Sequence, residues 1–209
     1  YSQIEYVLQY LRPDLDVCAA PVTDNWAQIS IAGPNARKLI ERILDDPARA
    51  SHQNFPFMAA TRLTAFGGVE ANLFRISFSG ELGFEIGVPA QFGPAAADAI
   101  MAAGQDLGIV LYGLEALSAM RLEKGHIGPS EMNGSTTLRD LGLGKMEAKK
   151  KDFIGKWLGQ RPALLDPNRQ MLVGLRTAEK HSKFRGGAHL FTKNAPMTWD
   201  NDQGHITSA

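Results

Sequence analysis

Three observations in this 209-residue sequence predict an α+β fold. From Ala27 onward, apolar patterns of period two and period 3.6 alternate in the order strand, helix, strands, helix, strand. Residues 59–88 hold the period-two pattern through two turns, which asks for an antiparallel sheet joined by hairpins. The helical segments before and after them carry apolar stripes suited to covering one sheet face. Together these features predict a ferredoxin-like split β-α-β arrangement with helices on one face of an antiparallel sheet. After residue 160 the pattern changes to short strands and turns, the start of a second, all-β domain. The expected domains are therefore residues 1–160 and 161–209.

Taken in order, Ile4, Val7, Leu8 and Leu11 fall at i, i+3, i+4 and i+7 and predict an amphipathic helix stopped near Pro13. Residues 16–22 and 26–32 read as strands joined by the turn residues Thr23, Asp24 and Asn25. Gly33, Pro34 and Asn35 open a helix that runs to Leu44, with Pro34 near its first position and Leu39, Ile40, Ile43 and Leu44 as its buried stripe. A strand from residue 59 meets the Gly67-Gly68 turn and a second strand over 71–78. The tight loop Ser79-Gly80-Glu81-Leu82-Gly83 then leads into a third strand over 84–88. A helix over 91–107 and a short strand over 109–112 follow. Residues 114–124 predict another helix, with Leu114, Leu117, Met120 and Leu122 inward. After the polar loop 126–137 come a helix over 151–158, a linker over 161–168, and strands over 171–176, 188–192 and 205–208. Because the later strands lack closing partners, they are expected to pair with a second copy or to be the least ordered part, weakest over 180–187.

Composition narrows the function. With 44% hydrophobic residues and 22 basic residues against 22 acidic ones, the chain is not of the disordered class, and it lacks the basic excess of a general nucleic-acid binder. A single cysteine, Cys18, excludes an internal disulfide and reads as a small core residue. No apolar run reaches membrane-spanning length, and no leader precedes the first helix, so a cytoplasmic protein without a membrane role is expected. The sequence begins at Tyr1 and stops in a strand-like run, which reads as a piece of a longer protein. His52, His126, His181, His189 and His205 share no metal-ligand spacing, so no metal is expected. Phosphate-cradling, dinucleotide-binding and nucleophile-elbow signatures are absent. The run Lys149-Lys150-Lys151 reads as a solvated segment, with an electropositive wall for a polyanion as the second reading.

Three segments stand apart from this background. They are Ser77-Phe78-Ser79-Gly80-Glu81-Leu82-Gly83-Phe84-Glu85, the stretch from Gly113 through Arg121-Leu122-Glu123 to Gly125, and Gly134-Ser135-Thr136-Thr137 through Gly142-Leu143-Gly144 to Lys149-Lys150-Lys151-Asp152-Phe153-Ile154-Gly155. In this order they resemble the folate-binding aminomethyltransferase family, the glycine-cleavage T-protein and its relatives. Within it they are similar to the branch that holds the sarcosine oxidase α subunit and dimethylglycine dehydrogenase. Gly33-Pro34-Asn35-Ala36-Arg37 also matches a helix start of that family.

The resemblance implies a tetrahydrofolate pocket. Glu85 is the leading candidate, since one carboxylate can accept the adjacent amino and ring N–H donors of a pterin. Phe78 stands where the family has tyrosine, so it offers stacking but no hydroxyl. Arg121 has a fork suited to a planar anion or polar ring edge, against a structural ion pair with Glu115 or Glu123 as the plain reading. Glu81 is expected to be an exposed loop residue and Glu123 a structural partner. The family's catalytic aspartate precedes the matched segment, so no residue here takes that role. Implied too are a β-barrel begun in 161–209, a flavin held elsewhere in the full protein, and partner subunits of an oxidase complex. A stand-alone aminomethyltransferase of glycine cleavage and a non-catalytic folate-binding or assembly module remain as alternatives.

Overall fold

Strand alternation organises the first half of the chain. In the computed structural model, which describes residues 1–179 and 182–209, the amino-terminal segment coils as helix α1 (Ser2–Tyr6) and widens into π-helical turns over Val7–Leu11. None of its residues is buried. Strand β1 (Trp26–Ala32) has the expected bounds. Helix α2 (Ala36–Ile43) follows, and it buries Leu39, Ile40 and Ile43 with Leu44 just beyond. Strands β2 (Ala60–Ala65) and β3 (Val69–Phe74) form a hairpin, β4 (Gly83–Pro89) returns beside β3, and α3 (Gly93–Ala103) completes the first half.

The four strands make one sheet in the order β1-β4-β3-β2, with every neighbouring pair antiparallel. In this order β1 and β2, the two strands joined through α2, lie at opposite edges. Ile29, Ile31, Phe84, Ile86, Leu73, Ala71 and Leu63 share one face by register, and α2 and α3 pack there around a continuous apolar cluster. The architecture is α+β, with antiparallel sheets and no closed barrel among the described residues.

Compactness divides the chain into Tyr1–Tyr112 and Gly113–Ala209, so residue 160 falls inside the second unit. That unit contains α4 (Leu114–Lys124), a short helix α5 (Pro162–Leu165), and the antiparallel pair β5 (His189–Phe191) and β6 (Asp202–His205). Several expected elements do not form. Residues 16–22, 109–112 and 171–176 are apolar enough for strands but have no ladder partner among the described residues. Residues 151–158 fold as turns, with Ile154 and Trp157 exposed; a short helix with no face to bury gains too little to form. The expectation for residues 180–187 falls partly on 180 and 181, outside the described residues. No helix among those described is long and apolar enough to cross a membrane.

Candidate functional site

The face of the first sheet opposite its helices is polar. Alternation points Trp26, Gln28 and Ser30 of β1 away from Ile29 and Ile31. The same rule places Glu85 and Gly87 of β4 and Asn72 and Phe74 of β3 on that polar face. Register then sets neighbours: Glu85 lies between Ser30 and Phe74, and Gly87 between Gln28 and Asn72. Gln28, diagonal to Glu85, donates a hydrogen bond from Nε2 to its Oε2. Gly87 supplies the flat floor; a Cβ there would lie 3.8 Å from the Trp26 ring and 4.0 Å from Asn72 Cβ. A half-buried carboxylate thus stands on an open sheet face with amide and hydroxyl neighbours and an aromatic ring nearby.

Phe78 lies on the loop that feeds β4. The residue is 42% exposed, which removes it from the apolar core, where Phe84 sits instead. The loop is shaped by its serines: Ser79 is buried, its Oγ lies 3.1 Å from Ser77 Oγ, and it accepts from the Glu81 N–H at 3.4 Å.

Arg121 belongs to the second unit and is the one buried residue of α4. Here the expected helix face is corrected, since Leu114 is 84% exposed while Arg121 points inward. Its ion-pair partner is neither Glu115 nor Glu123, both poorly spaced on a helix to meet it. Glu131, from the loop beyond the helix, pairs with it at 3.1 Å, with the two side chains only 8% and 4% exposed. Arg121 also donates to His126 O at 3.2 Å and to Ser208 Oγ at 2.7 Å. Gly128 makes the fit possible, because a Cβ there would come within 2.8 Å of the guanidinium carbon. Burial alone would raise the Glu131 carboxyl. Hydrogen bonds from Ser208, the Gly128 N–H, Thr207 and Ser130 outweigh it and hold the group at about 2.

The structure therefore places Glu85 and Phe78 on one loop-and-strand segment and Arg121 in a separate ionic cluster. Gln28, Trp26 and Asn72 join Glu85 unannounced. The alternation of β1 already put Gln28 on the polar face, but only pairing with β4 shows which residue it meets. Among the described residues no three His, Cys, Asp or Glu side chains converge as a metal site.

The profile of the GCVT N-terminal domain matches residues 1–151. The sarcosine oxidase subunit alpha of Rhizobium meliloti (strain 1021) is 47% identical over 210 residues, covering 100% of this chain and 21% of that protein. The mitochondrial dimethylglycine dehydrogenase of Homo sapiens is 35% identical over 144 residues, covering 68% of this chain and 16% of its own length. The aminomethyltransferase of Halothermothrix orenii is 32% identical over 136 residues, covering 64% of this chain and 37% of the relative. This chain thus spans about a fifth of the sarcosine oxidase subunit it matches. By its profile match over most of its length, the chain belongs to the GCVT family, the family of the aminomethyltransferases.

Proposed function

We propose that this chain is the tetrahydrofolate-binding module of a protein of the sarcosine oxidase α-subunit kind, which takes up the one-carbon unit released from an oxidised N-methyl amine. The observation that carries the reading is the Glu85 carboxylate on the open polar face, with Gln28 on one of its oxygens. The donor set fits the group: one carboxylate oxygen is oriented by the Gln28 amide, and the other is left to accept from a pterin edge. Trp26 and Phe78 offer ring faces for stacking, while Arg121 is engaged by Glu131 within its own cluster. When bound, tetrahydrofolate supplies the amine nitrogen that accepts the carbon, giving methylene-tetrahydrofolate. The residues of this chain bind and orient it, which lowers the entropic cost of the transfer.

In this reading the folate module covers residues 1–160, a ferredoxin-like core with its additions, and residues 161–209 open a β-barrel domain. Other parts of the full protein hold the flavin and bring the partner subunits, and the assembly works in the cytoplasm. The names of the relatives, an oxidase subunit and a dehydrogenase, support this placement over a stand-alone transferase.

Calorimetry with tetrahydrofolate tests the reading. The wild-type chain should bind, and Glu85→Ala should weaken binding by roughly 1.5–3 kcal/mol, the scale of a hydrogen bond to a charged group. Equal affinity for the two proteins, or no binding by either, overturns it.

A further inference from the structure

We propose that Arg75 is the positioning residue for Glu85: its guanidinium takes the place of the backbone ladder between β3 and β4 beyond the point where their pairing ends, and so fixes the loop that delivers Glu85 to the polar face. This rests on the folate reading above.

Pairing between β3 and β4 ends at Phe74 and Glu85. One residue further, the Arg75 backbone turns to its other side. Its N–H donates to Ala59 O at 2.8 Å, and its carbonyl accepts from the Met58 N–H at 3.0 Å. Gly83 and Phe84 thus have no ladder partner in β3. The Arg75 side chain crosses the gap instead, with Nη1 donating to Gly83 O at 2.9 Å. Its guanidinium lies 5.1 Å from the Phe84 ring centre and 5.8 Å from that of Phe57.

The setting is a demanding one for a cation. Arg37 lies 5.0 Å from the same Phe84 ring, and among the described residues neither arginine has a carboxylate partner. Arg75 Nε is buried and makes no hydrogen bond. A half-buried, partly unsatisfied guanidinium is costly, and contact with two aromatic faces offsets only part of that. What it provides in return is reach and a directed N–H where backbone cannot serve.

The rest of the loop mouth closes around the same point. On the β1 side, Leu82 O accepts from the Gly33 N–H at 2.8 Å. A Cβ on Gly83 would sit 2.7 Å from Ser77 Cβ, so the outgoing and returning arms touch. The loop therefore re-enters the sheet at one pinned carbonyl, two residues before Glu85. Because successive strand residues face opposite sides, Arg75 sits with Phe84 toward the core and acts on Glu85 through the backbone, not by touching ligand.

The test is a thermodynamic cycle in the full chain with Arg75→Met, Arg75→Lys, Glu85→Ala and the double variant Arg75→Met/Glu85→Ala. Tetrahydrofolate affinity is read by calorimetry and backbone order by amide hydrogen exchange. Arg75→Met should weaken binding about tenfold, the effect of losing one oriented hydrogen bond. Arg75→Lys, which keeps a donor, should recover part of this, and the double variant should bind no worse than Glu85→Ala alone. Exchange should quicken over residues 77–85 while α2 and α3 keep their protection. Additive losses, unchanged affinity in Arg75→Met, or exchange quickened evenly through residues 1–112 would overturn the proposal. If the wild type binds no tetrahydrofolate, the functional reading fails on its own, and the exchange pattern still decides whether Arg75 holds the loop. Should Arg75→Met not fold, Arg75→Lys carries the same comparison against wild type.

Discussion

The two units of the chain are held together by different physics. Residues 1–112 bury Ile31, Ile40, Leu73, Phe84, Ile86 and Ile100 between a sheet and two helices, and no charged residue among them is fully buried. Among the described residues of 113–209 the one buried hydrophobic side chain is Ile206, while Arg121, Glu131 and Asp140 are buried polar groups. Asp140 pairs with Arg169 at 2.7 Å and accepts from the Thr137 N–H at 2.8 Å, just as Glu131 collects Arg121, Gly128 and the serines. The first unit thus rests on area removed from water, which tolerates small errors of direction. The second rests on directed contacts, in which each member is needed to satisfy the others.

The largest expected effect follows from that dependence. Glu131→Ala leaves the Arg121 guanidinium buried without its counter-charge, and should cost about 3–5 kcal/mol, the range for breaking one side of a buried pair. Replacing both partners, Arg121→Met with Glu131→Leu, should return most of that loss, because no uncompensated charge remains. Denaturant unfolding followed by hydrogen exchange over residues 113–209 measures both variants. A double variant as unstable as Glu131→Ala would mean that shape, not charge, holds this unit.

The same contrast explains what could be read in the sequence. Where burial is apolar, periodicity suffices: β1 and α4 have the expected bounds, and the stripe of α2 is the expected stripe. Where a partner is distant in sequence, periodicity fails. Residues 109–112 and 171–176 have strand-like composition, but a strand exists only if another chain segment offers its edge. The inward face of α4 departs from its apolar stripe because Arg121 meets Glu131, whose placement depends on the turn at Gly128. Glu85 was marked by the Gly80-Glu81-Leu82-Gly83 loop around it, while Gln28 and Arg75 carried no local signal. Their positions follow from register and from the place where a ladder ends.

Acid should separate the units. Glu131 and Asp140 are both held at about 2, below the unfolded values of roughly 4.3 and 3.9. Groups with depressed folded pKa values stabilise above the unfolded values, and that contribution is lost as pH falls from about 4.5 toward 2. At the upper end each carries about 3 kcal/mol. The lowered carboxylates of residues 1–112, Asp45 among them, are exposed and matter less. Between pH 4.5 and 2, protection should vanish around residues 121–140 and 205–209 while β1 to β4 remain protected. Loss in the reverse order would contradict the assignment of ionic support to the second unit.

The smallest effect should come from the best-formed ion pair on the surface of the first unit. Arg42 meets Asp106 through two hydrogen bonds, Nη1 to Oδ1 at 2.5 Å and Nη2 to Oδ2 at 2.9 Å, and Nη1 also donates to Ala103 O at 2.7 Å. The bidentate geometry is as good as that of any buried pair, and the hydrogen bonds from Arg42 move the Asp106 carboxyl below its ordinary value. Exposure decides against it. The two side chains are 41% and 67% open to solvent, so water and salt supply most of what the partner supplies. Asp106→Asn should therefore lower stability slightly at low ionic strength and leave it unchanged at about 1 M salt, where the screening length falls to roughly 3 Å. Denaturation midpoints at the two salt concentrations measure this. A loss that persists in high salt and rivals that of Glu131→Ala would show that geometry, rather than burial, sets the worth of an ion pair in this protein.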